Sequence, residues 1–176
     1  MSPVSLPTPA PSSSTHAKGT LYLQFTLGEQ RFALDVRDVI EVLPYRPLKP
    51  IAEAPEWVVG ILAHRGRLVP VLDLSVRSVG RPAQRRTSTR LVLVHYRPDT
   101  VAPPQPLGLV LERATDTVRR PREAFKPYGL DTGQARYLGP VLEDAQGLLQ
   151  RIEVPQLLPD DVRAVLFPAP IEAKPS

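Results

Sequence analysis

The sequence predicts an all-β chain whose short strands close into barrels, and three observations carry that expectation. Apolar and polar residues alternate with a period of two along several short segments. Turn residues separate those segments at close intervals, the spacing of sandwiches and barrels. Strand patterns do not alternate with helical ones, and no long amphipathic helix is written, so a parallel sheet is not expected.

The elements follow in order. Leu21, Leu23, Phe25 and Leu27 alternate with Tyr22, Gln24 and Thr26, and Gly28-Glu29-Gln30 turns the chain. Phe32, Leu34 and Val36 then alternate with Arg31, Ala33 and Asp35, which completes a hairpin. Asp35 caps one helical turn through Asp38, and strand resumes at Val39–Leu43. Pro44, Pro47, Pro50 and Pro55 make the next stretch an extended loop. Trp57–Ala63 and Arg67–Leu74 are strands around His64-Arg65-Gly66, and Pro70 places an edge or a bulge in the second. Residues 75–90 form a polar loop or short helix, followed by a β-branched strand, Arg90–Tyr96. A proline-rich loop, Arg97–Pro106, leads to a returning strand at Leu107–Glu112 and a further short one at Thr115–Val118. Residues 121–135 are irregular, and Tyr137–Leu142 with Leu148–Val154 forms a last hairpin. Asp160 caps a short helix with Val162, Val165 and Leu166 on one face. No internal repeat is evident.

Residues 1–19 are rich in Pro and Ser, and 168–176 hold three prolines. Both read as disordered tails that cannot bury enough surface to order, which leaves 20–167 as the folded part. Hydrophobic residues at 42% suffice for a core without staples. There is no cysteine, which excludes disulfides, thiolate nucleophiles and cysteine-held metals. No stretch approaches the roughly 18 apolar residues of a membrane helix, and the N-terminus lacks a signal-peptide core. A cytoplasmic protein with no membrane insertion is expected.

The motif inventory argues against an enzyme. Neither a phosphate-binding loop nor a G-x-S-x-G elbow is present. His16, His64 and His95 are scattered, and Asp160-Asp161 reads as a helix start rather than a catalytic pair. No cofactor or metal is implied. The net charge of +4 directs attention to Arg77, Arg81, Arg85, Arg86 and Arg90, which follow one another with no acid between them. Arg119, Arg120, Arg122 and Lys126 form a second basic stretch. One reading is a nucleic-acid patch on a barrel. The plainer reading is two solvated loops; residues 77–90 hold no aromatic to stack on bases, so of the two partner readings an acidic protein surface ranks above nucleic acid.

The strongest local signal runs from Gly60 through Arg65, Gly66, Pro70 and Asp73 to Leu74. Gly66 permits a tight turn that holds Arg65 at a hairpin tip, and Asp73 ends an apolar strand where it can bond to backbone. Glu41 lies in a strand between Ile40 and Val42, and Arg65 is its plausible counter-charge if the two strands adjoin.

This stretch resembles the CheW family of coupling proteins, whose members carry Gly-x-x-Asn-x-Arg-Gly-x-x-x-Pro-x-x-Asp-Leu. Gly60, Arg65, Gly66, Pro70, Asp73 and Leu74 match it. Phe25–Gly28 with Phe32–Asp35 is similar to the family's opening hairpin, Val39–Val42 to its next strand, and Leu107-Gly108 through Glu112 to a later one. The resemblance covers about residues 20–160 and implies two five-stranded, SH3-like barrels side by side with no catalytic activity. It implies a groove between the barrels for the cytoplasmic tip of a chemoreceptor, and a barrel end for the regulatory domain of a CheA-type histidine kinase. Glu41 and Arg65 would be paired charges facing the receptor, with Val39, Ala63 and His64 beside them. The protein would gather at membrane receptor clusters through protein contacts alone. The family's Asn is Ala63 here, its aliphatic neighbour is His64, and the Gly that often follows the later acid is Arg113. The His-Arg-Gly variant, the arginine-rich loop and the closing Leu-Phe-Pro resemble couplers of Wsp-type surface-sensing systems, whose output is a diguanylate cyclase.

Overall fold

The computed structural model describes residues 19–129, 133 and 135–168. The tails expected at 1–19 and 168–176 fall almost wholly outside them. The described residues form strands β1 (Thr20–Leu27), β2 (Gln30–Asp35), β3 (Val39–Pro44), β4 (Val58–His64) and β5 (Arg67–Asp73). Helix α1 (Leu74–Val79) precedes β6 (Arg90–Tyr96), β7 (Gln105–Arg120), β8 (Leu138–Asp144), β9 (Gly147–Ile152) and helix α2 (Asp160–Leu166).

The strands build two five-stranded subdomains that share β7. Its first half pairs antiparallel with β6 and parallel with β5, while its second half pairs with β1. One subdomain is therefore β3-β6-β7-β5-β4 and the other β7-β1-β2-β9-β8. The separate strands expected at Leu107–Glu112 and Thr115–Val118 are this single element. It continues through a bend at Arg113, where φ is +51° and the β1 register slips between Gln24 and Thr26. Such a bulge lets a strand turn without ending.

Alternating side chains serve two cores on every central strand. Leu107, Leu109 and Leu111 of β7 enter the largest core with Val92 and Val94 of β6 and Leu23, Phe25 and Leu27 of β1. That core also takes Phe32 and Leu34 of β2 and lies between the subdomains. The opposite faces fill the barrels. Leu62, Val69, Val71, Leu91, Leu93 and Val110 pack in one barrel, and Tyr22, Ala33, Phe125, Leu142 and Leu149 in the other. Tyr22, which alternates with the apolar residues of β1, is itself wholly buried against Phe125 at 5.1 Å between ring centroids. Each buried Leu or Phe stabilises the fold by about 1.5–3 kcal/mol, so the shared core dominates the packing energy.

A repeat also emerges that the sequence does not display. Residues 20–79 and 90–157 each run hairpin, crossover strand, hairpin, then a short helical turn. Lys49 bridges Ile61 as Lys126 bridges Val141. The amide of Asp73 donates to Trp57 O at 2.8 Å, and the amide of Glu153 donates to Tyr137 O at the same distance. Each half gives its first hairpin to one barrel and its later strands to the other, so the halves are interlocked.

Smaller expectations resolve in the same terms. Asp35 caps the helical turn Val36–Asp38 by accepting from the Arg37 amide at 2.9 Å. At Pro70 the strand is paired on one side, because β7 joins β5 only from Val71. Asp160 does not cap α2: Pro159 holds that position, and the Asp160 carboxylate accepts from Arg163 at 2.8 Å.

Candidate functional site

The β4–β5 hairpin closes on two residues, since His64 opposes Arg67. Arg65 and Gly66 both have positive φ, +51° and +76°. This is the backbone a two-residue hairpin requires, and Arg65 adopts it at a cost of about 1–2 kcal/mol. Gly60 lies where a Cβ would strike Lys49 O at 2.6 Å, and Gly108 where one would strike Val71 at 2.8 Å. Both glycines therefore let strands approach closely. Asp73 is buried at the end of β5 and accepts from the amides of Ser75 and Ala83, each at 2.9 Å. Burial pushes its carboxyl above the ordinary value, and the backbone bonds oppose that. With Pro70 and Leu74, these residues make a frame that fixes the hairpin.

Glu41 stands opposite that hairpin on β3, which pairs only with β6. The register slips between Val39 and Glu41, leaving Ile40 as the extra residue, and a bulge re-aims the side chains around it. Glu41 Oε2 lies 2.8 Å from His64 Nε2, and Oε1 accepts from Arg65 Nη2 at 3.3 Å. Arg65 Nε sits 3.2 Å from the same imidazole nitrogen. One ring nitrogen cannot donate to Glu41 and accept from Arg65 at once. The shorter contact makes Nε2 the donor to the carboxylate. The His64 hydrogen bond, aided by the Arg65 charge, holds Glu41 below the usual carboxylate range although burial opposes it. Arg65 extends outward with 75% of its side chain exposed, whereas His64 retains only 13%.

The structure thus joins Glu41, His64 and Arg65, with His64 as the covered partner. Ala63 is exposed next to them, while Val39 packs against the edge of the main core. The apolar residue beside the charges is Ile40, 41% exposed, and the bulge that brings it there leaves no mark in composition or periodicity. Ile40, Glu41, His64, Arg65 and Pro106 line a depression of about 330 Å³. A separate groove of about 480 Å³ runs along the subdomain junction, lined by Asp38, His95, Arg97, Pro98 and Val154. The two share no lining residue. Burial, with the Asp35 charge, raises the Asp38 carboxyl in that groove.

Two further clusters complete the electrostatics. Arg77 lies 4.5 Å from the ring centres of both Trp57 and Tyr137 and donates to Leu157 O at 2.6 Å. Burial lowers its pKa, and the stack removes it from the basic loop in which the sequence placed it. At the equivalent hairpin of the second half the charges change places. Asp144 on the hairpin accepts from Arg31 at 2.8 and 2.9 Å and from Arg120 at 3.4 Å. Among the described residues no helix is long and apolar enough to cross a membrane.

Chemically, the Glu41 cluster offers complementary charge on a shallow, partly apolar surface, an arrangement suited to gripping a protein partner. A family model described as a CheW-like domain matches residues 21–162. Chemotaxis protein CheW of Klebsiella aerogenes is 26% identical over 62% of this chain and 62% of its own length. Chemotaxis protein CheW of Rhizobium meliloti is 28% identical over 56% of this chain and 59% of its own. The chain therefore spans about three fifths of these relatives. The crystal structure of the scaffolding protein TtCheW from Thermoanaerobacter tengcongensis superposes with a TM-score of 0.67 at 22% identity, covering 77% of this chain and 85% of that one. That likeness bears on the fold.

Proposed function

Because the chain belongs to the CheW-like domain family, we propose that it is a non-catalytic adaptor coupling a chemoreceptor to a CheA-type histidine kinase. One surface holds the cytoplasmic tip of the receptor, and a barrel end holds the kinase's regulatory domain. No bond is made or broken, and the protein works in the cytoplasm against membrane receptor clusters. The observation that supports this reading is the Glu41–His64–Arg65 cluster, set on a rigid hairpin beside exposed Ile40 and Val42. Arg65 extends into solvent from the fixed hairpin tip, so its charge is presented to a partner without movement of the backbone. Desolvation by receptor helices would strengthen the pair.

The test is recovery of partners from the host lysate on the tagged full chain. Wild type is expected to retain a methyl-accepting receptor and a CheA-type kinase, both identified by mass spectrometry. Arg65→Glu, which sets an acid against Glu41, is expected to lose the receptor at least about tenfold while keeping the kinase. Recovery of neither partner by wild type overturns the adaptor reading. In its finer form the reading assigns the chain to a Wsp-type system. The motif His64-Arg65-Gly66, the arginine-rich loop and Leu166-Phe167-Pro168 support it. Deletion should then lower cellular cyclic-di-GMP and leave swimming bias unchanged.

A further inference from the structure

Ion pairing is unevenly distributed over this molecule. Arg31, Arg37, Arg120, Arg122, Arg151 and Arg163 each meet a carboxylate. Among the described residues Arg81, Arg85, Arg86 and Arg113 meet none, and all four are exposed. Arg46, Arg67, Arg97, Arg119 and Arg136 are also exposed and meet none, but they are scattered singly along the chain, whereas these four lie on the loop after α1 and at the bend of β7.

That loop is built rather than loose. Ala83 is buried and its amide donates to Asp73, while the amide of Gln84 donates to Glu112. The Thr89 hydroxyl donates to Gln84 O, and the Thr89 amide donates to Arg86 O at 3.0 Å. The Ala114 amide donates to Ser88 O at 3.1 Å. Residues 84–88 are thus bonded at both ends to 112–114, which brackets Arg85, Arg86 and Arg113 within one patch. The Glu112 carboxylate accepts from loop backbone and forms no ion pair with them. Arg113 occupies a left-handed conformation where glycine would be free of strain, so the bend keeps a charge at an energetic cost.

We propose that Arg81, Arg85, Arg86 and Arg113 form a docking surface for an acidic protein segment, separate from the Glu41 cluster. Guanidinium forks bind carboxylates through two parallel hydrogen bonds, and anchoring the loop beforehand removes much of the ordering cost. Nucleic acid fits less well. Tyr45 lies beside the loop, and its ring packs on the core of the β3-β6-β7-β5-β4 barrel with Arg85 over it at 4.6 Å, so it offers no platform for a base.

The experiment is fluorescence anisotropy of a short fluorescein-labelled polyglutamate peptide with the full chain, at about 0.05 and 0.15 M salt. Wild type is expected to bind, more weakly at the higher salt. R85E/R86E should lose at least about tenfold, R85K/R86K should lose part, and R97E, at the far end of β6 from the loop, should match wild type. Near-ultraviolet circular dichroism checks that each variant is folded. Amide shifts in wild type on adding the peptide should centre on 84–88 and 112–114, a readout independent of any variant. Four outcomes overturn the proposal: no peptide binding by wild type, equal binding by folded R85E/R86E, shifts centred elsewhere, or tighter binding of a single-stranded oligonucleotide of equal length. None of these bears on partner capture through Arg65.

Discussion

Asp144 sits between two guanidinium groups at the tip of the β8–β9 hairpin, with its side chain and that of Arg31 both largely covered. Arg31 grips both carboxylate oxygens, and the Gln146 amide adds a third donor. The Arg31 hydrogen bonds chiefly hold the carboxyl far below its ordinary value, against burial. Asp35 is also depressed: burial opposes the shift, but bonds from Arg37 and the charges of Arg37 and Arg122 outweigh it. A carboxylate depressed in the folded state stabilises the fold above its unfolded pKa of about 3.9, and that contribution fades as pH falls toward the folded value. We expect Asp144→Asn to lower stability by about 1–3 kcal/mol at neutral pH, the pair being partly exposed. Urea melts should show the gap to wild type narrowing below about pH 4. A gap unchanged by acid would mean that the side chain acts through packing. Glu41 was legible as a charge in need of a partner, and Arg65 as that partner. The closer role of His64 was not, because a strand-end histidine carries no sign of which way its ring turns.

At the scale of elements, the bend of β7 is the joint on which both barrels depend. Arg113 adopts positive φ there, with Ala114 buried just beyond. Glycine at 113 would relieve strain of about 1–2 kcal/mol and return part of it as unfolded-chain entropy. Arg113→Gly should therefore change stability by less than about 1 kcal/mol, whereas Arg113→Val, β-branched and disfavoured at positive φ, should cost about 2–3 kcal/mol. Thermal melts of the two variants separate strain from loss of charge. Strands such as Arg90–Tyr96 were readable because β-branched runs and flanking turn residues agree. The continuity of β7 was hidden because Glu112-Arg113 reads as a polar strand end. The burial of Tyr22 was hidden for a related reason. Period two tells which residues share a face, but not whether the opposite face meets water or a second core.

For the molecule as a whole, the interlocked halves predict how it comes apart. Neither barrel can form from residues 20–79 or 90–157 alone, since each needs strands from both. The full chain should unfold in a single cooperative transition, with calorimetric and van't Hoff enthalpies equal. Fragments cut within loop 81–89 should each lack near-ultraviolet dichroism and regain it when mixed. Two resolved transitions, or one fragment folding alone, would show that the barrels are energetically separate. The repeat escaped the sequence because the halves share pairing pattern and hydrogen-bond geometry but not residues: the turn His64-Arg65-Gly66-Arg67 corresponds to Asp144-Ala145-Gln146-Gly147.

The sixteen residues of β7 have a mechanical consequence. At about 3.3 Å per residue their contour runs roughly 50 Å, passing from one barrel into the other without a linker. The barrels are thus tethered by unbroken main chain as well as by the core they share, and their spacing is set by the strand itself.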